Sequence, residues 1–208
     1  MLKFAKFMRY LSILLFVMLI TPAEAADKSN GAGYVYRVVI DEVAAKREPV
    51  GVVKSLTQAA VIVERSGNER PLTVDAKIYQ GDKIKTDSAG RLVIKFNDSS
   101  LLSLDNNTTI VIDEMVYSAP PHSLWNLLEG VIAFVSGGIL DSGGSMGIDT
   151  DLGDIGIRGT FGVVEKTPSL LKVVLLPEPN GHVGHLDVNT NVASVALTNA
   201  YDMVLVDD

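Results

Sequence analysis

From Gly51 to Ile112 the chain is a succession of short β-branched segments cut at near-regular intervals by turn residues, and this rhythm constrains the fold more than any other feature. The segments are 51–56, 60–64, 71–74, 83–86, 91–96, 101–104 and 109–112. They are separated at Ser66-Gly67-Asn68, Tyr79-Gln80-Gly81, Ser88-Ala89-Gly90, Asn97-Asp98-Ser99 and Asp105-Asn106-Asn107. Gly supplies positive φ, while Asn, Asp and Ser bond their own backbone, so each break ends a strand after one short pass. Strands this short with turns about every ten residues build a sandwich, a barrel or a solenoid. The turn spacing repeats but the side chains do not, which leaves a β-solenoid-like body and a twisted β-sandwich both open.

The later chain keeps the same grammar. Residues 117–124 read as a Pro-containing loop and Trp125 to Val135 as mostly strand. Gly130 weakens a helix interior by about 1 kcal/mol, and the β-branched and aromatic residues after it favour extended backbone. Seven glycines in 136–156 imply a loop or bulged, closely approached strands. Further strands are expected at 161–164, 171–176, 185–188, 194–197 and 203–206, with turns at Pro177 to Gly181 and Asn189 to Asn191. No segment sustains a helical period, so the fold class is all-β with many short strands.

The N-terminus carries a different signal. Lys3, Lys6 and Arg9 precede an apolar run from Tyr10 to Ile20, Thr21-Pro22 breaks it, and Ala23-Glu24-Ala25 supplies small residues for a peptidase. This is a secretory leader, with cleavage expected between Ala25 and Ala26. The run is about half the roughly 20 residues a spanning helix needs, so no stable membrane insertion is expected after cleavage. Losing the leader removes those three cations and Glu24, moving the formal charge from −7 to −9. An acidic surface repels phosphate backbones, which argues against nucleic acid. With no cysteine, disulfides and thiol chemistry are excluded, and stability must come from a packed core, which 47% hydrophobic residues can supply.

Five stretches then occur in order: Gly51-Val52-Val53, Gly81-Asp82-Lys83-Ile84-Lys85-Thr86, Phe96-Asn97-Asp98-Ser99-Ser100-Leu101-Leu102-Ser103-Leu104, Leu128-Glu129-Gly130-Val131-Ile132 and Ile157-Arg158-Gly159-Thr160-Phe161-Gly162-Val163. The set resembles the FecR domain family. The resemblance implies a periplasmic domain over 51–164 that works by protein–protein contact, with Gly81, Asp82, Thr86, Phe96, Asp98, Ser100, Leu102, Gly130, Arg158, Gly159 and Thr160 as its motif residues. The family often has Gly where Ser99 stands. Its founding type also places a cytoplasmic segment and a spanning helix before the domain, where this chain has a leader, so the sigma-factor arm is not implied.

Read physically, those motifs are structural. Gly81 takes positive φ and Asp82 bonds a backbone N–H two residues on. Gly159 permits a close strand approach, and Arg158 offers its guanidinium to carbonyls or to Asp149, Asp151 or Asp154. Gly143-Gly144-Ser145-Met146-Gly147 matches the nucleophile-elbow pattern formally, but that motif needs a strand, a sharp turn and a helix, and no helix is expected after Ser145. Asp141, Asp149, Asp151 and Asp154 gather carboxylates as a Ca²⁺ loop would, without EF-hand spacing, and read as solvated acids. His182 and His185, with His122 distant, make too few zinc ligands. Trp125 and Phe134 read as core.

The expected organisation is a leader at 1–25, a linker and strand at 26–50, the FecR-like domain at 51–164, and strands at 165–208 completing the same body. The expected function is a periplasmic interaction module without catalysis or cofactor, binding another envelope protein through exposed strand edges. The alternative is a protein that binds surface glycan or cell-wall polymer.

Overall fold

The structure, a computed structural model, describes residues 48–58, 60–63 and 67–207. The leader and the strand expected near Tyr34 to Ile40 lie outside the described residues. In chain order come β1 (Gly51–Thr57), β2 (Ala60–Val63), β3 (Glu69–Pro71), β4 (Lys77–Ile78), β5 (Lys83–Thr86), β6 (Arg91–Phe96), β7 (Leu101–Leu104) and β8 (Thr109–Val116). The long β9 (His122–Val135) is followed by one helical turn, α1 (Gly138–Asp141), then β10 (Ser145–Asp149) and β11 (Asp154–Arg158). The chain ends with β12 (Phe161–Thr167), β13 (Leu170–Leu176), β14 (His185–Asn189), β15 (Ser194–Leu197) and β16 (Met203–Asp207).

Among the described residues, all sixteen strands join one open sheet, mixed only because β9 and β10 run parallel. β9 belongs to it twice. Its first half lies between β8 and β10, and its second half between β7 and β12. The sheet thereby divides at β9 into two layers. The first runs β4-β1-β6-β7-β9-β12-β13-β16, and the second runs β3-β2-β5-β8-β9-β10-β11-β14-β15. These long-range antiparallel pairings make a twisted sandwich, where a solenoid would stack successive parallel coils.

Side chains alternate because successive Cβ atoms leave opposite faces of a strand. Val53, Ile94, Leu102, Ile132, Val164 and Val173 of the first layer, and Ile84, Ile112, Leu127, Ile148 and Leu186 of the second, are fully buried. Trp125 joins the layers. It stacks on Phe96 at 5.3 Å between centroids and meets Phe134 edge-on at 6.4 Å, so both read correctly as core. Lys166 takes an inward position on β12, with its side chain only 2% exposed, and its Nζ lies 2.9 Å from Asp151 Oδ1 on the β10–β11 turn.

Where the strands differ from the sequence reading, local bonding explains it. The segment expected at 71–74 pairs only over Glu69–Pro71, because the chain turns through Asp75 at φ +64°, and the short β4 was not foreseen. β9 starts at His122, inside the expected Pro-containing loop, because its first residues pair with both β8 and β10. The glycine-dense stretch holds α1 and the β10–β11 hairpin. Glycines there let backbones approach: a Cβ on Gly153 would stand 2.8 Å from Asn189 O.

The β6–β7 turn shows what the departure at Ser99 costs. Ser99 N–H donates to Phe96 O at 3.0 Å, and Ser99 sits at φ +71°, a left-handed conformation that costs a non-Gly residue about 1–2 kcal/mol. Ser99→Gly is expected to stabilise the fold by about 0.5 kcal/mol once glycine's extra unfolded-state entropy is offset. Urea unfolding checks it. A variant less stable than the parent would show that the Ser99 side chain contributes more than its strain removes.

Candidate protein-docking face

The eleven motif residues do not converge on one cleft. Gly81, at φ +84°, donates its N–H to Ile112 O at 2.6 Å, and Asp82 is 7% exposed. The Asp82 carboxylate accepts the N–H of Tyr79, three residues back, at 2.8 Å, instead of one two residues on. Thr86 donates to Asp105 O at 2.6 Å, and its oxygen accepts the Thr108 N–H at 2.9 Å. Phe96 and Leu102 fill the core. Asp98 caps its own turn by accepting both the N–H and the hydroxyl of the buried Ser100, and its carbonyl accepts the Gly138 N–H at 2.7 Å. Thr160 is fully buried, and its N–H donates to Ser136 Oγ at 2.8 Å.

Two more motif positions behave differently from the sequence reading. Arg158 Nε pairs with Asp187 Oδ2 at 2.8 Å across β11 and β14, rather than with Asp149, Asp151 or Asp154, and its side chain is exposed. Hydrogen bonds from His185, and then from Arg158, hold the Asp187 carboxyl below the usual carboxylate range. Gly159 has φ +66° with open space where a Cβ would stand. The close approach is made by Gly184, whose Cβ would overlap the Gly159 carbonyl.

The other candidate groups are placed as follows. Ser145 follows a helical turn and begins a strand, the reverse of a nucleophile elbow. Asp149 and Asp154 face each other across the β10–β11 hairpin, Asp151 pairs with Lys166, and Asp141 belongs to α1. His122 lies 3.0 Å from Glu114, and His185 lies 2.6 Å from Asp187. A shallow recess of about 230 Å³ is lined by Asp98, Tyr117, Pro121, Gly138, Ile139 and Ser142. Its one acidic hydroxyl, Tyr117, donates to Val50 O at 2.8 Å, and burial, with the nearby Asp98 charge, pushes it up to about 12.

What distinguishes this surface is the contrast between the two outer faces. On the second layer the register lines up His122, Ser145, Arg158 and His185 in one row, Leu124, Gly147, Gly156 and Asp187 in the next, and Asn126, Asp149, Asp154 and Asn189 in a third. On the first layer one row runs Leu101, Val135, Phe161 and Leu176. The next runs Val93, Ser103, Ala133, Val163, Val174 and Met203. A third holds Val131, Glu165, Lys172 and Leu205, where Glu165 and Lys172 neutralise each other at 2.7 Å. These apolar side chains are half-buried or exposed, so β12 and β13 are apolar on both faces while only their inner face meets the core. Contiguous apolar surface on the solvent side of a sheet, partly exposed over these rows and most exposed at Leu101, Met203 and Leu205, is a mark of interaction sites.

The face was missed in the sequence, although a signal existed. The run Leu170-Leu171-Lys172-Val173-Val174-Leu175-Leu176 does not alternate, and an unbroken apolar run is how a strand covered on both faces reads. Among the described residues the face ends at β16, which pairs with β13 alone and leaves Met203 and Leu205 more than half exposed. β15, the last strand of the second layer, exposes Val195, and the neighbouring turn exposes Val192.

The described residues thus form a sandwich of short strands with structural motifs and an apolar outer face on its first layer. Residues 82–177, from β5 to the end of β13, match the family described as FecR protein, so the chain carries a FecR domain. Two crystal structures of a candidate anti-sigma factor from Parabacteroides distasonis, at 1.65 and 2.50 Å resolution, align with a TM-score of 0.50 at 15% identity. The alignment covers 60% of this chain and 54% of that one, so the chain spans about half the length of that protein, and the likeness is one of fold. No curated protein matches the chain.

Proposed function

We propose that this FecR domain is a protein-docking module of the cell envelope. Its leader exports it to the periplasm, and it seats another envelope protein on the outer face of the first layer. The observation that carries the reading is the apolar surface spread over β7, β9, β12 and β13 on the solvent side, beside a second layer whose outward positions on β10, β11 and β14 are polar or glycine. Burying such a face against a partner follows the same physics as forming the core, at roughly 25 cal/mol per Å² of apolar surface. The FecR domain, and a fold shared with a candidate anti-sigma factor, favour a part in envelope signalling over catalysis.

A photo-crosslinking residue at Val163, in the middle of the face, is expected to capture one dominant envelope protein in native cells, whereas the same residue at Asn126 captures none. Val163→Lys is expected to lower capture by about tenfold or more, the effect of some 1.4 kcal/mol of lost docking energy. It should shift Tm by no more than about 3 °C, because Val163 faces outward. Equal capture from both faces would overturn the docking reading. Recovery of the unprocessed chain from the cytoplasm alone would overturn export.

A further inference from the structure

Beyond that docking face, we infer that the chain pairs with a second copy of itself, β16 against β16 about a two-fold axis at Leu205, joining two first layers into one continuous sheet.

Four observations lead there. First, β16 has a neighbour on one side only among the described residues. Leu175 N–H donates to Asp202 O at 2.9 Å, which sets the phase of the ladder. Hydrogen-bonded and non-bonded positions alternate along an antiparallel pair, so the backbone groups of Met203, Leu205 and Asp207 point away from β13, free to pair.

Second, the core is unfinished at this edge. On β13 the inward Leu171 and Val173 are fully buried, yet their cross-strand partners on β16, Val206 and Val204, are only half-buried. One more strand laid alongside would cover both valines.

Third, the edge is unguarded. Sheet edges are ordinarily blunted by lysine, proline or a bulge, and Met203-Val204-Leu205-Val206-Asp207 has none of these.

Fourth, the five residues suit their own reversed copy. Antiparallel pairing centred on Leu205 sets Val204 against Val206 on the inner face. On the outer face it sets Leu205 against Leu205 and Met203 against Asp207. The two Asp207 carboxylates then lie about 14 Å apart instead of facing each other, since a strand rises about 3.4 Å per residue. Such an interface is isologous and closes at two copies. A foreign strand could meet the same edge, but nothing in β16 would favour it over this match.

The absence of cysteine gives a clean test. Directly opposed residues of an antiparallel pair have Cα atoms about 4.5–5.5 Å apart, inside the range a disulfide spans. Leu205→Cys in the full chain, under mild oxidation, is therefore expected to give mostly disulfide-linked dimer. Met203→Cys should give at least about fivefold less, because its own copy lies too far away. Met203→Cys combined with Asp207→Cys should restore the crosslink. Unmodified protein should sediment as a dimer, and Leu205→Lys as a folded monomer, the exposed position leaving circular dichroism unchanged. The proposal is overturned if folded Leu205→Cys stays monomeric, if Met203→Cys crosslinks as readily, or if the unmodified chain sediments as a monomer. None of these measurements uses an envelope partner, so failure here leaves the docking face to be judged by its own crosslinks.

Discussion

Gly130→Ala should cost the fold about 3 kcal/mol or more, combining left-handed backbone strain with overpacking, and lower Tm by roughly 6–12 °C. Gly130 sits at φ +103°, where β9 leaves one layer and enters the other. A Cβ there would come within 2.5 Å of Thr108 Cα and 2.7 Å of its Cβ, besides overlapping its hydroxyl. Thr108 has nowhere to go. It is fully buried, its oxygen accepts the Val131 N–H at 3.0 Å, and its own N–H donates to Thr86 Oγ1 at 2.9 Å. The comparison is Gly143→Ala, since Gly143 also has positive φ, at +76°, but nothing within 4 Å of a Cβ. That change carries backbone strain alone, about 1 kcal/mol. Thermal melts in which Gly130→Ala falls no further than Gly143→Ala would remove the corner from this account.

The second large effect lies at Trp125, where two substitutions are expected to diverge. Trp125→Ala empties the space between Phe96 and Phe134 and should cost about 3–5 kcal/mol, as large aromatic truncations in cores do. Trp125→Phe keeps an aromatic ring between them and also deletes the indole N–H, which is buried without a hydrogen-bond partner among the described residues. An unsatisfied buried donor carries a penalty of about 1–3 kcal/mol. Removing it should offset most of the lost contact, leaving a net cost near 1 kcal/mol. Urea unfolding followed by circular dichroism measures both. If phenylalanine proves as damaging as alanine, the indole N–H contributes a bond and the reasoning fails.

Much of the strand pattern was legible because its causes are local. The β6–β7 hairpin follows from Asn97-Asp98-Ser99 between two alternating runs, and β5, β6, β7 and β15 occupy the expected residues. The β10–β11 hairpin was half visible. Met146, Ile148, Ile155 and Ile157 alternate as buried residues should, but the outward Gly147 and Gly156 between them made the stretch read as either a loop or bulged, closely approached strands. Gly130 drew attention as a poor helix residue and as a motif residue but not as a corner, since its collision with Thr108 depends on a partner 22 positions back. The Arg158 contact was misassigned for a related reason. The aspartates nearest in sequence sit on its own hairpin, whereas register with β14 brings in Asp187. Pairing between distant strands decides these contacts, and a turn-by-turn reading does not contain it.

That β9 serves both layers also fixes the order in which the chain can acquire its structure. As the chain emerges N-terminus first, β1 to β8 appear before the strand that joins their two groups, and β10 to β16 have no scaffold until 122–135 is in place. Early hairpins such as β6–β7 close over short loops and form quickly, whereas docking onto β9 closes long ones and is slow. The nascent first half therefore waits with its apolar edges unpaired, a state open to misassociation and to chaperone capture. Folding becomes committed when one central strand arrives, not gradually as residues accumulate.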